Sequence, residues 1–140
     1  MTAARNIAFV CLHGSAKSLI AAEYHNRAAR ETGLPMTATT AGPEPDPEVP
    51  PGVIAGLLRH GIDARTRVPE RVTAAALARS DYIVSFGCDL GPYGIGRRTV
   101  ERWDHCPAVS DDFEIAWAFI TDRVTHLVDR LAGEGAAHDR

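Results

Sequence analysis

The stretch IAFVCLHGSAKS, residues 7–18, joins a run of apolar residues to a cysteine and a short polar loop. The apolar run from Asn6 to Cys11 is typical of a strand that is covered on both faces of a parallel sheet. An ordinary turn after such a strand would need only Gly14. The serines and Lys17 that surround this glycine therefore indicate that the loop has a further role.

The loop is suited to hold an anion. A tight connection between a strand and a helix presents several backbone N–H groups, and the helix dipole adds positive potential there. Gly14 can adopt a positive φ without steric cost. Ser15 and Ser18 can donate hydroxyl hydrogen bonds, and Lys17 adds a full charge. Because the same positive field favours the thiolate of Cys11, we predict an oxyanion site with Cys11 as its nucleophile.

Strand and helix patterns alternate along the rest of the chain. The predicted elements are a helix from Lys17 to about Glu31, a strand MTATTAG ending at Gly42, a helix with Pro50 and Pro51 in its first turn that runs to His60, a short helix from Val72 to Ala78, the strands DYIVSFGC and TVERWD, and a C-terminal helix opened by a capping box of Asp111 and Glu114. This alternation predicts a three-layer α/β/α fold with a central four-stranded parallel sheet. Ligands of such folds bind at the carboxyl ends of the strands, where both Cys11 and Cys88 are expected.

Length and composition restrict the expected partners. The 140 residues, 45% of them hydrophobic, predict one compact domain spanning residues 1–140. The formal charge of -3 provides no overall basic field, so we expect neither nucleic acid nor a membrane as a partner. The N-terminus fits neither a secretory signal nor a membrane span, and the cysteines, odd in number and far apart, do not suggest a secreted disulfide framework. We therefore expect a cytoplasmic protein.

These residues resemble the signature of the low-molecular-weight protein tyrosine phosphatases and of the related thiol-coupled arsenate reductases. In that family a cysteine after the first strand is followed by five residues, an arginine, and a serine or threonine; here the match is Cys11, five residues, Lys17 and Ser18. The likeness continues through TTAG, HGIDART, DYIVSFGCD and VERWD. The resemblance implies the low-molecular-weight phosphatase type of fold, a phosphate-like or arsenate-like oxyanion as substrate, and no metal or organic cofactor.

The resemblance also implies a role for each residue of the loop. Cys11 would attack phosphorus or arsenic, and Ser18 would stabilise the cysteine when it leaves as a thiolate. The oxyanion would be held by the loop residues Leu12, His13, Gly14, Ser15, Ala16 and Lys17. Because lysine offers one point charge where arginine grips two oxygens at once, we expect weaker binding of the transition state than in members with arginine.

The general acid departs from the family pattern. In the family it is an aspartate directly before a proline, late in the chain; here Pro107 is preceded by Cys106, and Asp104 is the nearest replacement. Asp111 and Asp112 are interpreted as helix caps. Since a phosphatase needs this acid to protonate an alcohol leaving group, the missing Asp-Pro pair favours an arsenate-reductase-like protein over a tyrosine phosphatase.

A second cysteine extends the comparison with the arsenate reductases. In those enzymes a cysteine after the third strand attacks the first, which releases arsenite and leaves a disulfide, and Cys88 stands close to that position. A small thiol or a thioredoxin-like protein could instead complete turnover. Cys106 is interpreted as structural or incidental, and it could serve in the relay only if its own loop folds over the site. Two alternatives are a phosphomonoesterase with Asp104 as acid, and a non-catalytic anion-binding or regulatory protein that keeps only the pocket.

Overall fold

The computed structural model describes residues 5–96, 98 and 100–138, with side chains as far as residue 133. The strands are β1 (Arg5–Val10), β2 (Met36–Ala41), β3 (Tyr82–Ser85) and β4 (Val100–Arg102). The helices are α1 (Lys17–Thr32), α2 (Pro51–Arg59), α3 (Ala74–Ala78) and α4 (Phe113–His138), with a short 3₁₀ turn at Gly91–Tyr93. Among the helices described, none is long and apolar enough to cross a membrane.

The four strands form one parallel sheet in the order β2-β1-β3-β4. β1 lies inside the sheet, where Val10 pairs with Ala41 of β2 and with Ser85 of β3. Because all strands run the same way, their carboxyl ends share one edge, and Cys11 directly follows β1 at that edge. The arrangement confirms the four-stranded parallel sheet that the alternating pattern predicts.

Apolar side chains cover both faces of the sheet. Side chains alternate along a strand, so Ile7 and Phe9 join the apolar cluster that includes α1 and α4. Ala8 and Val10 join the cluster on the other face, which includes Leu77 of α3. The buried face of α4 includes Ala116, Ile120, Val124, Leu127 and Leu131. These layers confirm the α/β/α architecture.

The first strand and helix have the predicted order with one shifted boundary. β1 ends at Val10, so Cys11 is the first residue of the loop and not the last of the strand. α1 begins at Lys17, as predicted. It ends at Thr32, one residue beyond the predicted Glu31, and Gly33 follows in the left-handed conformation, with a φ of 69°, that is common at helix ends.

Helix α3 is shorter than the sequence predicts. It begins at Ala74, not at Val72. The reason is a cap: the side chain of Thr73 accepts a hydrogen bond from the N–H of Ala76 at 3.1 Å, which fixes the first turn of the helix at this threonine. Val72 is instead buried in the apolar cluster beneath the helix.

The predicted capping box at the start of α4 is wrong. The residue that caps the helix is Asp112, whose Oδ1 accepts a hydrogen bond from the Ile115 N–H at 3.2 Å. Glu114 does not reach back to the cap, because its carboxylate binds Nε2 of His60 at 2.6 Å. Asp111 lies one residue before the cap and does not itself cap the helix.

His25 is a fully buried histidine in the middle of α1. Its Nδ1 lies 3.1 Å from Oδ1 of Asn26, whose side-chain amide also pairs with the backbone of Ala38. The Nε2 atom has no hydrogen-bond partner within the described residues. Burial lowers the pKa of His25 from its usual 6.5, and the hydrogen bond to Asn26 opposes this shift.

We expect the protein to lose stability as the pH falls below about 6.5, because the unfolded chain then binds a proton at His25 that the folded chain excludes. One such group lowers the free energy of unfolding by at most about 1.4 kcal/mol per pH unit, over the interval between its unfolded and folded pKa values. Urea unfolding at about pH 7.5 and about pH 5.5 measures the loss. His25→Gln should show a smaller loss than the exposed control His126→Gln; equal losses would contradict this role of His25.

Candidate functional site

Cys11 lines a cleft of about 790 Å³ at the carboxyl edge of the sheet. Its backbone N–H donates to the Ala41 carbonyl at 3.3 Å, which continues the β1–β2 ladder into the loop. The cysteine is buried, with 6% of its surface exposed. The N–H of Ser18, in the first turn of α1, donates to Cys11 Sγ at 3.4 Å. The thiol therefore lies at the positive end of a helix.

The loop between Cys11 and α1 uses its carbonyl groups to bind the segment that follows β2. The Leu12 carbonyl accepts from the Glu44 N–H at 2.9 Å, and the His13 carbonyl accepts from the Asp46 N–H at 3.3 Å. Four loop N–H groups, in contrast, donate no hydrogen bond within the described residues; they belong to Leu12, His13, Ser15 and Ala16. All four of these residues line the cleft. Their N–H groups are available to an oxyanion.

Two glycines allow the loop to pack against the end of β2. Gly14 has a φ of 59°, which confirms the positive φ that the sequence predicts. A Cβ atom on Gly42 would lie 2.5 Å from the Gly14 nitrogen and 2.6 Å from the carbonyl oxygens of Cys11 and Leu12. The two backbones are thus in direct contact, and no side chain fits between them.

Ser18 places a hydroxyl group beside the thiol. Its Oγ lies 3.0 Å from Cys11 Sγ and 2.7 Å from Oγ1 of Thr40, on β2. The Thr40 hydroxyl can also donate to the Gly14 carbonyl at 3.5 Å. A thiolate cannot donate, so when Cys11 is ionised Ser18 must donate to the sulfur and Thr40 can donate to Ser18. The two hydroxyls therefore can supply a charge-assisted hydrogen bond to the nucleophile.

Two polar side chains of the loop bind the chain itself. Ser15 Oγ donates to Asp46 Oδ2 at 2.5 Å. His13 Nδ1 donates to the Glu44 carbonyl at 2.8 Å, since a carbonyl can only accept. The Ser15 hydroxyl proton is therefore committed to Asp46, and an oxyanion would meet this serine through its backbone N–H.

The walls of the cleft combine apolar and charged side chains. The apolar members include Phe86, which follows β3, and Phe113 at the start of α4. Phe113 packs on α2: a Cβ atom on Gly56 would lie 2.3 Å from its ring, and the Arg59 guanidinium lies 5.4 Å from the ring centroid. The charged members of the wall are Lys17, Arg59, Asp46, Asp111 and Asp112.

The sequence-predicted acid, Asp104, is not among the described residues that line the cleft. Its carboxylate accepts a hydrogen bond from Arg102 Nε at 3.1 Å at an exposed position. Asp111 and Asp112 line the cleft instead, and Asp112 is occupied in capping α4. The Asp111 carboxylate makes no hydrogen bond within the described part of the chain, so it is the better-placed candidate for an acid. Sequence reasoning missed it because both aspartates resemble caps.

All three cysteines are free and buried. Cys106 belongs to the apolar cluster that contains Cys11, whereas Cys88 belongs to the cluster on the other face of the sheet. Burial raises the pKa of Cys88, and the charge of Cys11 raises it further. Burial also raises the pKa of Cys106, to about 11. Both thiols are therefore protonated at neutral pH.

A comparison with family models decides where the chain belongs. The model described as low molecular weight phosphotyrosine protein phosphatase matches residues 6–89, which include Cys11, its loop, Thr40 and Cys88. The chain belongs to this family. The resemblance that the Cys11 loop suggests is thereby confirmed. A sequence comparison with curated proteins finds no match to this chain.

Solved structures share the low-molecular-weight phosphatase fold over nearly the whole chain. YfkJ from Bacillus subtilis is 20% identical, with a TM-score of 0.79 over 94% of this chain and 97% of that one. An arsenate reductase in the phosphate binding state is 20% identical, with a TM-score of 0.75 over 90% and 98%. SP-PTP, a low molecular weight protein tyrosine phosphatase from Streptococcus pyogenes, is 15% identical, with a TM-score of 0.78 over 91% and 93%. These likenesses establish the fold, which hosts both reductases and phosphatases.

The supporting residues of β2 are the main feature that sequence reasoning missed. The segment TTAG contributes to the family likeness, but the pattern assigns no role to Thr40 or Gly42. Both act through contacts with residues more than twenty positions earlier in the chain. A glycine directly after a buried strand, at the sheet edge that carries the loop, is the signal that would have indicated a close backbone approach.

We expect Gly42→Ala to disturb the loop, because the added Cβ would meet backbone atoms that cannot rotate away. Overpacking of this kind costs about 1–3 kcal/mol of unfolding free energy, and binding of inorganic phosphate should weaken in parallel. Urea unfolding and phosphate titration measure the two effects. Gly133→Ala, on α4 with open space around it, is the control that should retain both properties. Two variants of equal stability would contradict the close packing.

Proposed function

We propose that this chain is a thiol enzyme of the arsenate-reductase type, in which Cys11 attacks an arsenate-like oxyanion. The observation that carries the proposal is the setting of the Cys11 sulfur, with the Ser18 hydroxyl at 3.0 Å and the Ser18 N–H at 3.4 Å. Donors in this position stabilise a thiolate before it attacks and again when it becomes a leaving group.

The loop supports the same proposal by the way it would bind the oxyanion. Its unbonded N–H groups supply donors with no charge of their own, and Lys17 adds one positive charge at the start of α1. Since lysine is a point charge, the backbone would fix the orientation of the oxygens and Lys17 would mainly neutralise charge. The site then favours a small tetrahedral oxyanion, which needs few directed contacts.

The reaction would proceed in two displacements. The Cys11 thiolate forms a sulfur–arsenic bond, and one arsenate oxygen takes up protons from solvent and leaves as water. A second thiol, from this chain, a small molecule or a thioredoxin-like protein, then attacks the Cys11 sulfur. The sulfur–arsenic bond breaks, its electron pair stays on arsenic, and arsenite is released. No alcohol leaves in either step, so the acid that a phosphatase requires for its alcohol is not needed.

Ser18→Ala should slow arsenite release without unfolding the protein. A hydrogen bond to a charged group is worth about 1.5–3 kcal/mol, which corresponds to a loss of about ten- to a hundred-fold in rate. The assay incubates the reduced protein with arsenate and a dithiol reductant and measures arsenite.

The matched control is Ser80→Ala, since Ser80 is also buried but binds the Ala76 carbonyl at 2.9 Å and does not line the cleft described here. It should retain the wild-type rate, and Cys11→Ser should abolish arsenite release. An unchanged rate in Ser18→Ala would contradict the proposed setting of the thiolate. A wild-type protein that binds phosphate but releases no arsenite would contradict the reductase.

A phosphomonoesterase is the second candidate, and the size of the cleft favours it. About 790 Å³ is far more than a tetrahedral oxyanion fills and lies within the range of sites for organic ligands, about 300–1,000 Å³. Phe86 and Phe113 would contact the organic group. Asp111 would protonate the leaving oxygen, in place of the sequence-predicted Asp104, because Asp111 lines the cleft and Asp104 is not among the described lining residues.

Asp111→Asn tests this candidate with two phosphate esters of different leaving groups. Phenyl phosphate has a poor leaving group and needs the acid, so its hydrolysis should fall by about a hundred-fold or more. p-Nitrophenyl phosphate has a better leaving group and should lose much less. If Asp104→Asn shows this selective loss and Asp111→Asn does not, Asp104 is the acid. Equal losses on both esters would indicate that neither aspartate acts as an acid.

A further inference from the structure

The loop that follows β4 brings Cys106 to the same side of the sheet as Cys11. Cys106 is buried, with 8% exposed, and shares an apolar cluster with Cys11, Phe86 and Trp103. Residues 108–112, further along the same loop, line the cleft that contains Cys11. Cys106 therefore belongs to the segment that forms one wall of the candidate site.

Cys88 is in a different position. Its side chain packs with Val10 and Leu90 in the cluster on the opposite face of the sheet. The side chain of Ser85 binds both the N–H and the carbonyl of Cys88. The Cys88 N–H donates to Ser85 Oγ at 2.8 Å, and Ser85 Oγ donates to the Cys88 carbonyl at 2.9 Å. To reach the Cys11 sulfur, the Cys88 thiol would have to leave its own apolar layer and break this buried pair of hydrogen bonds.

Cys106 is held less firmly. Within the described residues its backbone makes no hydrogen bond, and its thiol makes one, to the carbonyl of the adjacent Pro107 at 3.5 Å. A disulfide needs Cβ atoms about 3.5–4.5 Å apart, so one of the two loops must move. Moving the loop of Cys106 breaks no strand pairing, since β4 ends at Arg102.

The charge of Lys17 also acts on Cys106. After burial, the Lys17 ammonium is the largest influence on the pKa of Cys106, and it lowers this pKa. The same ammonium lowers the pKa of Cys88 as well, but there it is the weakest of the influences, behind Arg102. Cys11 raises the pKa of both thiols; it is the largest influence after burial on Cys88 and comes behind Lys17 on Cys106, so the order of the charges favours neither thiol. The two thiols are distinguished by the face of the sheet on which each lies and by the hydrogen bonds that hold its backbone.

We propose that Cys106, and not Cys88, is the resolving thiol of the Cys11 adduct. The role rests on the proposed arsenate reduction and names the partner of its second displacement. Cys106 loses its proton to solvent, and its sulfur bonds to the Cys11 sulfur. The sulfur–arsenic bond breaks with its electron pair left on arsenic, which goes from As(V) to As(III) while the two cysteines are oxidised to a disulfide. An external dithiol then reduces that disulfide.

Peptide mapping after one turnover tests the pairing. The fully reduced protein, freed of added thiol, is mixed with arsenate, alkylated, digested without reduction and analysed by mass spectrometry, while arsenite is measured in the same sample. We expect a Cys11–Cys106 disulfide in equal amount to arsenite. Cys106→Ser should lose this disulfide and slow arsenite release at least a hundred-fold, and Cys88→Ser should still form it.

Hydrogen peroxide provides a second arm that does not depend on arsenate. It oxidises the Cys11 thiolate to a sulfenic acid, which a nearby thiol attacks with loss of water. A Cys11–Cys106 disulfide in this arm, without arsenite in the first, would refute the arsenate reaction and retain the pairing. A Cys11–Cys88 disulfide in either arm, or a sulfenic acid that persists without any disulfide, would overturn the pairing. Arsenite accompanied by a Cys11–Cys88 disulfide would still support the proposed arsenate reduction.

The pH dependence separates a reacting thiol from a packing residue. Because burial raises the pKa of Cys106 to about 11, its thiolate fraction rises about tenfold per pH unit below that value. Disulfide formation in the peroxide arm should follow this rise once Cys11 is already a sulfenic acid. A rate that does not change between about pH 7 and about pH 9 would contradict attack by the Cys106 thiolate.

Discussion

The direct backbone contact between Gly14 and Gly42 is the constraint on which the site depends. This contact places the loop between Cys11 and α1 against the end of β2, where the segment that follows the strand binds the loop carbonyls. With its carbonyls bound in this way, the loop retains N–H groups that nothing in the described chain occupies. The same packing brings Thr40 within hydrogen-bond distance of Ser18, and Ser18 within hydrogen-bond distance of the Cys11 sulfur. The proposed nucleophile and its proposed anion site thus depend on one close approach.

The electrostatics of the cleft are balanced rather than strongly positive. Lys17 and Arg59 share its walls with three aspartates, and the whole chain carries a formal charge of -3. Binding of an oxyanion must therefore come from directed N–H groups at short range and not from a general field. Such a site selects a ligand by geometry. A lysine in the arginine position is consistent with this, since the backbone already orients the oxygens.

Local pattern predicted the parts of the molecule that local physics determines. The apolar run before Cys11 and both ends of α1 follow from short-range preferences, and all three are confirmed within one residue. The parts that failed or were missed depend on contacts between distant residues. The predicted capping box does not form because Glu114 binds His60, a residue more than fifty positions earlier, and Asp112 caps the helix instead. The sequence predicts Cys88 at the end of the strand DYIVSFGC, but β3 ends at Ser85, so the alternation along a strand does not determine the face on which Cys88 lies.

The packing of Phe113 against Gly56 has a further consequence for the cleft. The phenyl ring of Phe113 forms part of the cleft wall and also makes a contact between α4 and α2. It occupies the space that a side chain at position 56 would fill if that residue were larger than glycine. The bulk of residue 56 therefore sets how far the ring projects into the cleft, although position 56 itself is not part of the lining that the structure describes. A substitution at position 56 would therefore change the shape of the cleft wall without altering a residue that lines it.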